Sequence, residues 1–215
     1  MGLVLKNVNI TGGKLSSTVD APAPVGATLM KTGQTTSYRT GDDGDIEAGR
    51  ATNFNTLAVN NPFGNTNRFT DELGGTTYTN DIVIDWSTYD NIAGTVLGYY
   101  FTGSALATEV WNDAVDNALT HSVGTFTTGW YLPNKKEIEN LLNDGITGGN
   151  KLNYAPFNLS SSVTFWCSTT SLRSTGTAYI FANLQPYGYT EFSKTSVRAV
   201  YFYARQFTVT GTTLS

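Results

Sequence analysis

The chain has 215 residues, which is enough to bury a large core without help from disulfides or a structural metal. Charged residues make up only 14% of it, against about 25% in a typical globular domain, while aromatic residues make up 13%. The net charge of −4 argues against nucleic-acid binding, which needs clustered Lys and Arg, and the single cysteine excludes an intrachain disulfide.

Residues 1–29 are predicted to form an extended N-terminal arm or linker. They include Ala21-Pro22-Ala23-Pro24, and proline biases the residue before it towards extended backbone. The opening residues lack a basic n-region and a cleavage site, and no apolar run approaches the roughly 18 residues of a membrane span. We therefore expect a soluble protein made in a cytoplasm, with no membrane insertion. Its arm either attaches to another subunit, forms an edge strand of its own domain or remains a tail.

Residues 30–215 are predicted to form one domain, and an acidic segment lies near its start. Asp42, Asp43 and Asp45 alternate with glycines, and oxygen-rich segments bent by glycine suit Ca²⁺. The EF-hand spacing is missing, so a tight polar turn capped by the Asp side chains is the competing interpretation. Calcium is the one cofactor that the sequence suggests.

Three segments show the residue patterns of β-strands. Ile82, Ile84 and Trp86 alternate with other residues, and the segment around Tyr179 alternates in the same way. Residues 197–203 are almost entirely apolar or aromatic, as in a central buried strand. Long loops are predicted over about 50–80 and 143–164, and binding surfaces usually lie on loops held by a rigid scaffold.

Two helices are predicted among these strands. The first spans roughly 104–120, where apolar residues recur every fourth position from Leu106 to Ala118. The second begins at Asn134, a good N-cap with Glu137 in the capping-box position, and Gly145 is a natural terminator. Two helices among many short strands favour an α+β fold.

Residues suited to catalysis are scarce. His121 is the single histidine and directly follows the first predicted helix, where a surface or helix-end position is expected. Cys167 follows Phe165 and Trp166, which suggests a buried structural thiol rather than a nucleophile. No motif nominates the pair of carboxylates that a glycosidase needs. We therefore expect a protein that is not an enzyme, with no catalytic residues to assign.

A series of motifs between residue 31 and about 205 resembles the C-terminal domain of the Legionella collagen-like adhesin family, which is frequent in bacterial surface proteins and phage genomes. The motifs follow one another in the family's order and spacing. They are Lys31–Tyr38 with the glycine-aspartate segment after it, Asp85-Trp86, Trp111 with Ala114, Gly129–Ile138, Phe165–Thr170, and Val197–Val200.

This resemblance implies a C-type-lectin-like fold, with a twisted antiparallel sheet, two helices and long loops. Tyr131 stands where the family has Arg, and Cys167 where it usually has Ser. The family supplies no catalytic residues. Large apolar indoles suit the core between helices and sheet, and we assign that structural role to the four tryptophans of the chain. They are Trp86, Trp111, Trp130 and Trp166.

Three functions remain open. The first is a phage virion protein, such as a head decoration, neck, tail or fibre subunit, which assembles in a cytoplasm and displays its domain outside the cell. It would contact other virion proteins through the arm and form homo-oligomers. The second is a surface adhesin for a glycan or protein of the host, with tyrosines exposed to stack on sugars. The candidates are Tyr99, Tyr100, Tyr187 and Tyr189. The third is an enzyme acting on polysaccharide.

Overall fold

In the part of the chain that the structure describes, two large sheets, a separate two-stranded hairpin and two short helices make up the architecture. A computed structural model describes residues 9–11, 14–16, 40, 54–57, 59–78, 80–143, 145–146, 150–159, 163–182 and 188–215. The strands are β1 (Asn9–Thr11), β2 (Lys14–Ser16), β3 (Phe69–Thr70), β4 (Ile82–Asp90), β5 (Thr95–Tyr100), β6 (Ala107–Glu109), β7 (Trp130–Tyr131), β8 (Thr164–Thr170), β9 (Thr177–Ala182), β10 (Gly188–Ser193), β11 (Arg198–Val200), β12 (Tyr203–Thr210) and β13 (Thr213–Leu214). The helices are α1 (Trp111–Leu119) and α2 (Lys135–Glu139).

The first sheet curls into a half-barrel. Its strand order is β13-β12-β5-β4-β3, and β7 also pairs with β12. All these pairings are antiparallel. Because β12 pairs with three different strands, it is the strand around which this sheet is organised.

The second sheet has the order β10-β9-β8-β11-β6, and only its β11–β8 pairing is parallel. β1 and β2 form a separate antiparallel hairpin within the predicted arm. The described architecture is thus mostly antiparallel sheet with two short helices, which is compatible with the predicted α+β class. The predicted boundary at residue 29 lies outside the described residues.

The first helix is shorter than the sequence pattern predicts. Residues 107–109 are the strand β6, which pairs with β11, and Leu106 N donates to Val200 O at 2.7 Å. Helix α1 therefore begins at Trp111, and its buried face consists of Ala114 and Ala118. Backbone pairing with a strand about 90 residues further along the chain outweighs the local pattern of an apolar residue at every fourth position. The prediction of helix over 104–110 was therefore wrong.

The second helix starts as predicted. The Asn134 side chain accepts from the backbone N–H groups of Lys136 and Glu137, and Glu137 accepts from the N–H of Asn134 at 2.8 Å. This is the predicted capping box, and it is confirmed. The helix ends earlier than Gly145, because Leu141 N already donates to Ile138 O, which tightens the chain into a turn.

The apolar run 197–203 is not one strand. β11 ends at Val200 in the second sheet, and β12 begins at Tyr203 in the first, so the chain changes sheets at Tyr201 and Phe202. Phe202 stacks on Phe101 with ring centroids 4.9 Å apart. The run is apolar because it crosses the buried junction between the sheets, and the prediction of one central strand was wrong.

Side chains from both sheets share two hydrophobic clusters. One contains Val83 and Tyr99 of the first sheet with Phe165 and Phe181 of the second. The other contains Ile84 and Phe207 of the first with Trp166 and Ile180 of the second, and it also holds the buried face of α1. Successive residues of β4 and β8 point into opposite clusters, as the alternation of side chains along a strand requires.

Candidate ligand pocket

A pocket of about 380 Å³ opens where three loops of the half-barrel sheet meet. One wall comes from the β3–β4 connection, including Glu72, Leu73 and Asn80. The other two walls are residues 123–126, which follow α1, and residues 212–214, which form the β12–β13 turn and its return strand. Three independent loops therefore face one space whose size is typical of small-ligand sites.

The first wall is held by hydrogen bonds around Asp71. Its Oδ1 accepts from the N–H groups of Leu73 at 2.9 Å and Gly75 at 2.7 Å, which closes a tight turn around Glu72. The indole N–H of Trp86 donates to Thr70 Oγ1 at 2.8 Å, and that hydroxyl donates to Asp71 O at 2.8 Å. Trp86 therefore ties the loop to the strand β4.

The second wall is a tight turn. Val123 and Phe126 exchange backbone hydrogen bonds of 3.2 and 3.0 Å, and Gly124 between them has a φ of +57°. The indole N–H of Trp130 donates to Phe126 O at 2.8 Å. A second core tryptophan thus fixes the wall opposite Glu72.

Among the described lining residues, Glu72 is the one that carries a carboxylate, and it is only 9% exposed. Asn80 Nδ2 donates to Glu72 Oε1. Glu72 Oε2 is buried and has no hydrogen-bond partner among the described residues. Nothing in the sequence around residue 72 indicates burial, because Asp71-Glu72-Leu73-Gly74-Gly75 reads as an exposed turn. The only signal was the long loop predicted over 50–80.

The three described tyrosines among those predicted to stack on sugars do not form an exposed surface. Tyr99 is 0% exposed and its hydroxyl donates to Glu137 O at 3.3 Å, so its prediction as an exposed ligand residue was wrong. Tyr100 is half-buried beside His121. Tyr189 is half-buried, and its hydroxyl donates to Lys135 O at 2.6 Å. Tyr187 lies outside the described residues.

Three of the four tryptophans assigned to the core are buried. Trp86, Trp130 and Trp166 are 3%, 1% and 1% exposed. Trp111 differs, because it is half-buried at the start of α1 and the ammonium of Lys194 lies 4.3 Å from its ring centroid. Trp111 is more exposed than the other three tryptophans because it lies at the first residue of α1, at the edge of the contact between helix and sheet.

The imidazole of His121 is half-buried among aromatic rings rather than exposed on the surface. Its ring lies 4.5, 5.3 and 4.8 Å from the ring centroids of Tyr100, Trp130 and Tyr203. Desolvation by these rings lowers the pKa of His121. The sequence located His121 correctly after the helix but missed this aromatic enclosure, since all three rings come from the strands β5, β7 and β12.

Cys167 is 0% exposed, as predicted, and burial raises the pKa of its thiol well above its usual value. The acidic residues Asp42, Asp43 and Asp45, predicted as a possible calcium loop, lie outside the described residues. Within the described ranges, no three His, Cys, Asp or Glu side chains gather as a metal site would require. In the same ranges, no helix is long and apolar enough to cross a bilayer.

No protein-family model matches the chain, and no curated protein is significantly similar to it.

Proposed function

We propose that this chain is a non-catalytic virion subunit of a phage, which displays a C-type-lectin-like domain and attaches through its N-terminal arm. The observation that carries the proposal is the structural role of the tryptophans in the motifs that resemble the adhesin family. The indole of Trp111 donates to Cys167 O at 2.9 Å, and the indole of Trp166 donates to Glu109 O at 3.0 Å.

These two bonds are reciprocal. Trp111 opens α1 and reaches the strand β8, while Trp166 on β8 reaches the end of β6 just before α1. The two hydrogen bonds therefore hold the start of α1 and the end of β6 against the strand β8. An arrangement in which family-like motifs hold helix and sheet together supports a display scaffold of the lectin-like type, and the step from scaffold to virion is an analogy.

Of the two side chains best suited to nucleophilic or acid–base chemistry, Cys167 is buried and His121 is half-buried. A thiol whose pKa is raised by burial is a poor nucleophile at neutral pH. The imidazole of His121 is enclosed by aromatic rings, and its Nε2 is buried without a hydrogen-bond partner among the described residues. Both features favour a binding or structural role over an enzymatic one.

The hairpin of the arm supports attachment to another subunit. Strands β1 and β2 have three residues each and pair with each other. A two-stranded hairpin alone is marginally stable in water. Addition of a backbone edge of this hairpin that has no partner strand among the described residues to a neighbouring sheet would stabilise it, and such strand addition is a common mode of subunit recognition.

The test is incorporation into particles. Mass spectrometry of density-purified virions from a lysate carrying the gene should find the chain at a fixed copy number. Ile10→Pro in the full chain removes a backbone donor from β1 and should reduce incorporation, while Ile10→Val should not. Circular dichroism of both variants checks that the domain still folds. Absence of the chain from purified particles would refute the proposal.

A further inference from the structure

The carboxylate of Glu72 is buried in the wall of the three-loop pocket, and one of its two oxygens has no hydrogen-bond partner among the described residues. One oxygen accepts from the neutral amide of Asn80, and the other has no partner in the described part of the chain. No salt bridge to Glu72 forms among the described residues, whose buried ion pair joins Arg68 to Asp85. An ionised carboxylate that is nine-tenths buried is costly unless a cation or further donors compensate it.

The remaining lining is mostly apolar. Val123 and Leu214 contribute aliphatic surface, and Thr125 and Thr213 contribute hydroxyl groups. This combination suits a ligand with an apolar stem and a cationic tip. The apolar walls would pack on the methylene groups, as they do around the stems of lysine side chains, and the tip would pair with Glu72.

The same pocket is less suited to stacking a sugar on an aromatic ring. Phe126 is its aromatic residue, and Phe207 packs against that ring at 4.9 Å while the guanidinium of Arg205 lies 5.0 Å from it. The pocket is also poorly suited to a divalent metal, because calcium takes six to eight oxygen ligands and the described lining offers one carboxylate.

We infer that the pocket binds an alkylammonium group, whose nitrogen pairs with the Glu72 carboxylate and whose carbon chain lies against Val123 and Leu214. Two sources have this chemistry, namely a lysine side chain of a protein partner and a free polyamine. The exposed Leu73 at the rim, which is 75% exposed, would add apolar contact with either. The inference does not rest on the virion proposal, since it concerns the domain alone.

The inference can be tested by NMR titration of the isotope-labelled full chain. The probes are n-butylammonium, Nα-acetyl-lysine amide and spermidine, with n-butanol as a neutral probe of the same shape. We expect saturable shifts of the backbone amides of Leu73 and residues 123–126 with the cationic probes and much weaker shifts with butanol. Tighter binding of the lysine amide would indicate a protein source, and tighter binding of spermidine a polyamine.

Two variants assign the effect to the carboxylate. Glu72→Gln keeps the shape and removes the charge, so the affinity for butylammonium should fall about tenfold or more, as expected for loss of a charge-assisted hydrogen bond. Asp116→Asn removes the same charge from the exposed face of α1 and should leave the affinity unchanged. Thr212→Lys places an ammonium on the pocket rim and should block the probes.

The thermal unfolding midpoint of the free protein gives an independent measurement. Glu72→Gln should leave it unchanged or raise it, because a buried charge without full compensation is removed. Equal binding of butylammonium and butanol would overturn the inference. So would unchanged binding by Glu72→Gln, or an absence of shifts at the pocket amides at saturating probe concentration.

Discussion

Arg68 and Asp85 form an ion pair that is almost completely excluded from solvent. Two parallel hydrogen bonds of 2.9 Å join the guanidinium to both carboxylate oxygens, and the side chains are 1% and 0% exposed. Arg68 Nη2 also donates to Asn140 O at 2.6 Å, just after α2. The ring of Phe54 lies 4.2 Å below the guanidinium. One residue thus links the start of the half-barrel sheet to the second helix.

Arg68→Met should therefore be strongly destabilising. The substitution leaves the Asp85 carboxylate buried without its cation, which typically costs about 3–5 kcal/mol. Urea unfolding followed by fluorescence measures the change in unfolding free energy. The double variant Arg68→Met with Asp85→Asn also removes the unpaired negative charge of Asp85, so it should recover part of the lost unfolding free energy. A double variant less stable than the single one would contradict this explanation.

His121 makes stability depend on pH. Its pKa is lowered in the folded protein by desolvation, whereas the unfolded chain keeps an ordinary histidine pKa of about 6.5. Below that pH the unfolded state binds more protons than the folded state, so the unfolding free energy falls as the pH decreases from about 6.5 to the folded-state pKa.

His121→Phe should flatten this part of the pH profile, because a non-titrating ring of similar shape then fills the aromatic enclosure. Urea unfolding between neutral and mildly acidic pH measures the slope for both proteins. The carboxylates that titrate at lower pH are the same in both proteins. The difference between the two slopes therefore measures the contribution of His121 to the pH dependence of the unfolding free energy. Identical slopes would contradict the assignment.

At the scale of the elements, β5 packs tightly against its neighbours at Gly98. Gly98 lies in its middle, between partners Ile84 on β4 and Arg205 on β12. A Cβ added at Gly98 would lie 2.6 Å from a ring carbon of Phe207 and 2.7 Å from Ile84 Cδ1. Glycine inside a strand usually marks such a close approach, and here it lets a buried ring cross over the backbone.

Gly98→Ala should lower the unfolding free energy by about 1–3 kcal/mol, the usual cost of forcing an extra group into a packed core. Gly176→Ala is the matched control, since a Cβ there would meet only Ser174 Oγ at 3.7 Å. Chemical unfolding of both variants gives the comparison. An equal effect of the two substitutions would show that loss of glycine, rather than the clash, sets the stability.

At the scale of the whole molecule, the two large sheets share the core that the described residues form. Both hydrophobic clusters contain residues of the half-barrel sheet and of the five-stranded sheet. Separation of the sheets would expose both clusters at once, so partial unfolding along this boundary is costly.

We therefore expect the two sheets to unfold in a single cooperative transition. Trp86 reports on the first sheet and Trp166 on the second, so variants that keep only one of these tryptophans, with phenylalanine at the other three positions, separate the two signals. Coinciding denaturation curves for each variant's fluorescence and far-UV circular dichroism would agree with one transition. Two separated midpoints in one variant would show that the sheets unfold independently.

The sequence by itself determined features that depend on near neighbours along the chain. The capping box at Asn134 and Glu137 needs residues three positions apart, and the strand at Ile82–Trp86 follows from alternation within five residues. Burial of Cys167 followed from its aromatic neighbours. Local geometry fixes such features, so the residue pattern suffices to predict them.

Only the tertiary structure decided features that depend on which distant segments meet. Residues 107–109 became a strand because β11 offers them backbone partners, and Tyr99 is buried because Phe202 packs on its ring, with centroids 6.4 Å apart. Glu72 belongs to a pocket because two other loops close around an ordinary polar turn. Long-range contacts outweigh local preference in each case, because the free energy gained by pairing and burial exceeds the small propensity differences between residues.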